Sequence, residues 1–170
     1  MPSPVLECSV RGLLGGKLQL VPHQLYIADR ISNRDFPRAL LADEVGLGKT
    51  IEAGLILHRL KVAQKIQTSL IIVPKSLLVQ WYVEMRKKFN LNYSIVDESI
   101  DFTKENPFED SSNILVGLEF LMTKPEAKEK LLEANFDMIV VDEAHRLDWD
   151  ESGGNEEFKL LESMAWRLWH

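Results

Sequence analysis

The run Arg38-Ala39-Leu40-Leu41-Ala42-Asp43-Glu44-Val45-Gly46-Leu47-Gly48-Lys49-Thr50 decides the fold of this chain. A short apolar stretch stops, glycines bend the backbone, and Lys49-Thr50 opens a helix predicted from Ile51 to about Lys61. Strand, loop and helix in that order make a phosphate-binding loop. Glycines let successive N–H groups point inward with no Cβ in the way, and the helix N-terminus adds partial positive charge. Lys49 can then reach β- and γ-phosphates, and the Thr50 hydroxyl can ligate Mg²⁺. The usual pattern opens on a glycine where this chain carries Asp43. A plain glycine-containing turn is the alternative. It competes poorly, because Gly48-Lys49-Thr50 stands in the context that the motif needs.

A second stretch supplies the complementary chemistry. Phe136-Asp137-Met138-Ile139-Val140-Val141 reads as a buried strand and runs straight into Asp142-Glu143-Ala144-His145. An aspartate at the carboxyl end of such a strand can hold Mg²⁺ directly or through water. The adjacent Glu143 can orient or deprotonate an attacking water. His145 either couples this end to another part of the protein or hydrogen-bonds locally.

Between the two motifs, continuous apolar runs alternate with helical patterns. Ser69–Pro74, Tyr93–Val96 and Asn113–Gly117 read as strands. Leu78, Trp81, Tyr82, Met85 and Phe89 repeat at helical spacing after Ser76, a candidate N-cap. Trp81 fits that core stripe better than a base-stacking role. Arg86-Lys87-Lys88 is a solvated helix end or a phosphate contact. Asp97 to Ser112 is polar, contains Pro107, and reads as a surface loop. Thr123 with Glu126 suggests a capping box for a helix to about Ala134. Strands separated by helices imply an α/β fold with a parallel sheet and helices on both faces. Ligands bind beyond the carboxyl ends of such strands, where both motifs are expected to fall.

Upstream, Pro22-His23-Gln24 begins a helical pattern with Leu25, Ala28 and Ile31 on one face. Gln24 can donate to and accept from an adenine edge, or be a surface glutamine; its place one helix before the phosphate loop favours adenine. His23 reads as structural. Residues 1–20, with two prolines and three glycines, are a loose N-terminal segment ending in a short strand near Leu18–Val21.

Bulk properties bound these readings. A chain of 170 residues, 45% hydrophobic and 27% charged, suits one globular domain. Its net charge of −6 gives no compositional support for nucleic-acid binding, so any such surface must be local. The single cysteine, Cys8, cannot form an internal disulfide and fits a reducing cytoplasm. No apolar run approaches the roughly 18 residues of a membrane span.

These motifs resemble the first motor lobe of helicase superfamily two, and in particular the SNF-type ATPases, over about Pro22 to Trp149. Pro22-His23-Gln24 resembles the glutamine motif. Ala42 to Thr50 resembles motif I, in which SNF-type members share the acidic pair Asp43-Glu44. Ile72-Val73-Pro74 with Ser76-Leu77, Gln80-Trp81 and Glu84 resembles motif Ia, which lies beside the nucleic-acid backbone in the family. Asp142-Glu143-Ala144-His145 is similar to motif II. Leu41 to Gly46, Ile51-Glu52-Ala53-Gly54, Asn106-Pro107-Phe108 and Trp149 resemble the bacterial RNA polymerase-associated, transcription-recycling branch.

The resemblance implies a RecA-like lobe over 21–155 that uses ATP and Mg²⁺. Catalysis falls to Glu143 and Lys49, nucleotide binding to Gln24, Asp43, Glu44, Val45, Gly46, Leu47, Gly48, Lys49 and Thr50, and metal binding to Thr50 and Asp142. It further implies translocation on duplex DNA, RNA polymerase as a partner, a nucleoid-associated cytoplasmic location, and a second RecA-like lobe for hydrolysis. Glu119 stands where the family often has a serine or threonine for backbone contact. No motif III sequence follows motif II, so the sheet is expected to be incomplete at the C-terminus and the chain alone to hydrolyse little ATP. Residues 156–170 read instead as an amphipathic helix or truncation tail, with Phe158, Leu161, Ala165, Leu168 and Trp169 on one side. An exposed apolar side there would suit a non-catalytic interaction module, the competing reading.

Overall fold

Ser69-Leu70-Ile71-Ile72-Val73 has no charged residue, and in the computed structural model of this chain all five residues are buried in a strand, β1. The structure describes residues 21–34, 39, 41, 48–144 and 154–167. Two compact units divide the chain: residues 1–65 with 83–91, and residues 66–82 with 92–170.

In the first unit, helix α1 (Pro22–Ser32) pairs with helix α2 (Lys49–Val62). Pro22 stands in the first turn of α1, where its missing N–H costs nothing. Ala28, Ile31, Leu57 and Leu60 are buried. Arg59 Nη2 reaches Asp29 Oδ1 at 2.6 Å, and Lys65 Nζ donates to the Ser32 carbonyl at 2.9 Å. Helix α2 closes with Gln64 in the left-handed conformation (φ 54°). Gln64 N–H then bonds Lys61 O, and Lys65 N–H bonds Leu60 O, so the last carbonyls are satisfied.

The second unit contains the sheet. Strands β1, β2 (Ser94–Val96), β3 (Asn113–Gly117) and β4 (Met138–Val141) lie in the order β2-β3-β1-β4, and every pairing is parallel. Ser69 stands opposite both Asn113 and Met138, so the three longer strands start in register. A side-chain clasp sets that register. Asp137 Oδ2 accepts from the N–H groups of Gln67 and Thr68 at 2.7 and 2.8 Å, and Thr68 Oγ1 accepts from Asp137 N–H at 2.9 Å. This clasp is why the fifth predicted strand begins at Met138 and not at Phe136, whose side chain packs in the core. The expected full burial of this strand is corrected too: all four residues of β4 are only half-buried.

Helix α3 (Leu78–Phe89) follows a 3₁₀ turn at Lys75–Leu77. Ser76 lies inside that turn and caps nothing by its side chain, which corrects the N-cap reading. Trp81, Met85 and Phe89 are buried as the helical spacing predicts. Arg86 and Lys87 are exposed in the last turn, where cations meet the negative end of the helix dipole.

Two short helices, α4 (Leu118–Thr123) and α5 (Pro125–Glu133), join β3 to β4. The predicted Thr123 capping box does not form. Thr123 ends α4 and donates its hydroxyl back to the Glu119 and Phe120 carbonyls, while Pro125 starts the next helix. The loop from Asp97 to Ser112 is irregular as expected but does not lie wholly on the surface. Pro107 is buried and Phe108 is 1% exposed within the core of this unit.

Helix α6 (Glu156–Arg167) is capped by Asn155, whose Oδ1 accepts from Phe158 N–H at 2.8 Å. Its buried residues are Leu160 and Met164, which join Phe120, Leu121 and Leu131 in the core. This corrects the predicted stripe: Phe158 and Leu161 are half-buried, and Ala165 is exposed. The adjacent leucines 160 and 161 allow either of two stripes, and packing selects the one through Leu160. Leu168 and Trp169 lie outside the described residues.

Candidate functional site

The predicted site residues fall into two sets, one in each unit. In the first, Gly48 is the N-cap of α2 and takes the left-handed conformation (φ 87°, ψ 37°). A side chain there would be strained by its backbone. It would also collide with Gln24, because a Cβ on Gly48 would stand 2.7 Å from Gln24 Nε2. Lys49 and Thr50 open α2, half-buried, where the first N–H groups of the helix have no intrahelical acceptor. Gln24 is 6% exposed, so the surface-glutamine alternative is excluded. Its Oε1 also accepts a long bond of 3.5 Å from Val21 N–H at the start of α1. The structure thus brings Gln24 and Gly48, the last glycine of the predicted phosphate loop, together. Asp43, Glu44, Val45, Gly46 and Leu47 lie outside the described residues, as do residues 1–20, His145 and Trp149.

Beneath this set, Glu52 is fully buried in the first turn of α2, with His23 Nε2 3.9 Å from its Oε1. The structural reading of His23 is consistent with this contact. Sequence reasoning noted Glu52 only as part of a branch signature. An acidic residue inside an otherwise apolar helix face is the signal that marks it out.

In the second set, Asp142 follows the last residue of β4, and its N–H continues the sheet ladder to the Ile72 carbonyl at 2.9 Å. Both carboxylate oxygens are fixed. Oδ2 accepts from Trp81 Nε1 at 2.8 Å and Oδ1 from Glu143 N–H at 2.9 Å. Glu143 is a non-glycine residue with φ 55°, a conformation that costs energy and collects at functional sites. No sequence signal announces that strain.

The donor set fits magnesium. No cluster of three or more His, Cys, Asp or Glu able to hold a metal exists among the described residues. Mg²⁺ is commonly bound by one or two carboxylates plus substrate phosphates, and Asp142 is a hard oxygen donor with lone pairs beyond its two hydrogen bonds.

In the second unit, the turn after β1 lies within the stretch predicted as motif Ia. Lys75 Nζ contacts Glu98 Oε1 at 2.7 Å, and Lys75 N–H donates to Glu119 Oε2 at 2.7 Å. The glutamate standing in place of a serine or threonine therefore holds this turn by its backbone. The Glu98 carboxylate holds the Lys75 ammonium above its usual pKa, and Lys75 in turn lowers that of Glu98. Both side chains are exposed, so the pair adds little stability. An open groove of about 710 Å³ beside the 97–112 loop, lined by Ile100, Asp101, Lys104, Glu105, Pro107 and Asp110, contains none of the predicted site residues.

A parallel sheet with interleaved helices and an Asp-Glu pair beyond a strand's carboxyl end is the architecture of a RecA-like lobe. The family model described as the SNF2-related domain matches residues 26–166, and the chain belongs to that family. It is 49% identical over 167 residues to the RNA polymerase-associated protein RapA of Pasteurella multocida (strain Pm70), covering 94% of this chain and 17% of that protein. It is 48% identical over 160 residues to the RapA protein of Haemophilus influenzae (strain Rd), covering 92% of this chain and 17% of the relative. The chain thus spans about one sixth of the length of these relatives. Among solved structures, the Sulfolobus solfataricus SWI2/SNF2 ATPase core in complex with dsDNA matches with a TM-score of 0.69 at 24% identity, covering 89% of this chain and 31% of that one. The core domain from the same organism matches with a TM-score of 0.66 at 26% identity, over 89% of this chain and 30% of that chain.

Proposed function

We propose that this chain is the ATP-binding lobe of a nucleic-acid-dependent ATPase that moves on duplex DNA and acts with RNA polymerase in the cytoplasm. The observation that carries the reading is Gln24 packed against Gly48, at the head of a helix that starts Lys49-Thr50. A carboxamide that can read an adenine edge, next to a helix N-terminus that can hold phosphate, suits a ligand that carries both groups. Family membership and the RapA relatives support the same reading.

In this reading Gln24 reads the adenine edge, and the backbone from Asp43 to Gly48 cradles the phosphates. Lys49 balances the charge of the β- and γ-phosphates. Thr50 and Asp142 are the oxygen donors that would hold Mg²⁺, which when bound neutralises charge on the phosphate oxygens. Glu143 orients the attacking water and takes its proton. An arginine from a second lobe is worth on the order of 10³–10⁵ in rate in related phosphoryl transfer.

The test is equilibrium binding of a fluorescent ATP analogue. Lys49→Ala is expected to abolish binding and Glu143→Gln to retain it. Unchanged affinity in the Lys49→Ala chain would overturn the proposal.

A further inference from the structure

We propose that Trp81 is a positioning residue for the metal-binding carboxylate: its indole N–H fixes the orientation in which Asp142 meets Mg²⁺. The inference rests on the reading of Asp142 as a metal ligand and deepens it. Sequence spacing accounts for Trp81 as a core residue, and its 3% exposure agrees. Core packing alone, however, does not choose the acceptor. A buried indole N–H needs a hydrogen-bond partner. Many backbone carbonyls could serve, yet the acceptor here is Asp142 Oδ2 at 2.8 Å.

The geometry gives this bond a consequence. The Asp142 backbone is pinned to β1 through Ile72 O, and Oδ1 is held by the N–H of Glu143. Those two bonds leave the carboxylate free to tilt about its own side-chain torsions. The Trp81 bond removes that freedom, because the indole is rigid and sits in the first turns of α3. With one hydrogen bond on each oxygen, each still has a lone pair to offer a metal. Carboxylates that bind metals are themselves held by such outer hydrogen bonds, and loss of one typically costs about 10–100-fold in metal affinity.

Trp81→Phe tests this, since it keeps an aromatic ring and deletes the N–H. Anisotropy of a fluorescent ATP analogue, titrated with Mg²⁺ on this chain, is the readout. The free Mg²⁺ needed for half-maximal Mg²⁺-dependent binding is expected to rise about 10–100-fold. Affinity for the analogue in EDTA stays unchanged. Asp142→Asn alone raises the Mg²⁺ requirement, and adding Trp81→Phe to it has no further effect.

The failures separate. If Trp81→Phe titrates like the parent while Asp142→Asn does not, the positioning role is wrong and the metal reading stands. If Asp142→Asn also titrates like the parent, or the parent shows no Mg²⁺-dependent binding, the metal reading itself falls. Equal weakening with and without Mg²⁺ in Trp81→Phe would mean packing alone, and overturn the proposal. Should that variant not fold, the Trp81 indole ¹⁵N–¹H resonance decides in its place. It is expected to shift on adding Mg²⁺ and ATP analogue to the parent and to stay still in Asp142→Asn; a resonance that stays still in the parent would overturn the proposal.

Discussion

The ring of Phe89 occupies the space where a side chain on Gly54 would stand. Helix α2 can therefore approach this end of α3 only because position 54 has no Cβ. Phe89 is 2% exposed and has nowhere to go. Overpacking of this kind costs about 1–3 kcal/mol. Gly54→Ala should lower the urea midpoint accordingly with the slope unchanged, although alanine is the better helix former. Adding Phe89→Leu should recover part of the loss. A stabilised Gly54→Ala chain would mean that the two helices do not pack as described.

Tyr93 carries the clearest pH dependence. Its hydroxyl lies 2.8 Å from Ser69 Oγ, which donates to Asn113 Oδ1, so Tyr93 serves as the donor to Ser69. Burial pushes the phenol up to about 12 from its ordinary 10.0. The folded pKa is raised, so the stabilisation is fully present below pH 10 and is lost as pH rises through about 12. Two units correspond to roughly 2–3 kcal/mol. Alkaline unfolding followed by far-UV circular dichroism should show this loss in the parent and a shallower one in Tyr93→Phe. Matching profiles would rule the mechanism out.

The parallel sheet was legible because β1 and β3 are covered on both sides and read as unbroken apolar runs, with β1 closed by Pro74. Helix α4 was not legible. Leu118–Thr123 is too short for a periodic pattern, and Gly117 ahead of it looks like a strand end. The caps of α3 and α5 were misjudged for a related reason. Ser76 and Thr123 have the right side chains for capping, but capping depends on where the backbone turns, and Pro74 and Pro125 set those points. Of the proposed site, residue types and spacing singled out Gln24, Gly48, Lys49 and Asp142 as candidates. The Trp81–Asp142 bond joins residues 61 positions apart and has no local signature.

Lys75 offers a prediction about nucleic acid. Its ammonium is engaged by Glu98, with Asp97 and Glu119 adding negative charge nearby. A phosphate backbone at this turn would have to compete with that carboxylate. Glu98→Gln should therefore tighten binding of duplex DNA. The slope of log affinity against log salt should also steepen, by up to about one phosphate contact. Titrations at several salt concentrations would show it. DNA affinity and salt slope that do not move on Glu98→Gln would place the contact elsewhere.

The backbone at Glu143 makes a prediction that needs no ligand. A residue with a Cβ at φ 55° bears a cost of about 1–3 kcal/mol that glycine avoids. Glycine also raises the entropy of the unfolded chain, which offsets about 0.4–1 kcal/mol of that relief. Deleting the side chain removes its own contacts as well, so alanine is the proper comparison: it lacks the carboxylate but keeps the Cβ. Glu143→Gly should be more stable than Glu143→Ala by about 1 kcal/mol, or roughly 2–4 °C in thermal midpoint for a chain of this size. Glu143→Gln keeps both the Cβ and the side-chain length, so its midpoint should stay near that of the parent. Differential scanning calorimetry of the three variants gives the order. Were alanine the more stable of the pair, Glu143 would not be held in the left-handed region, and its strain could not be part of how the carboxylate is aimed.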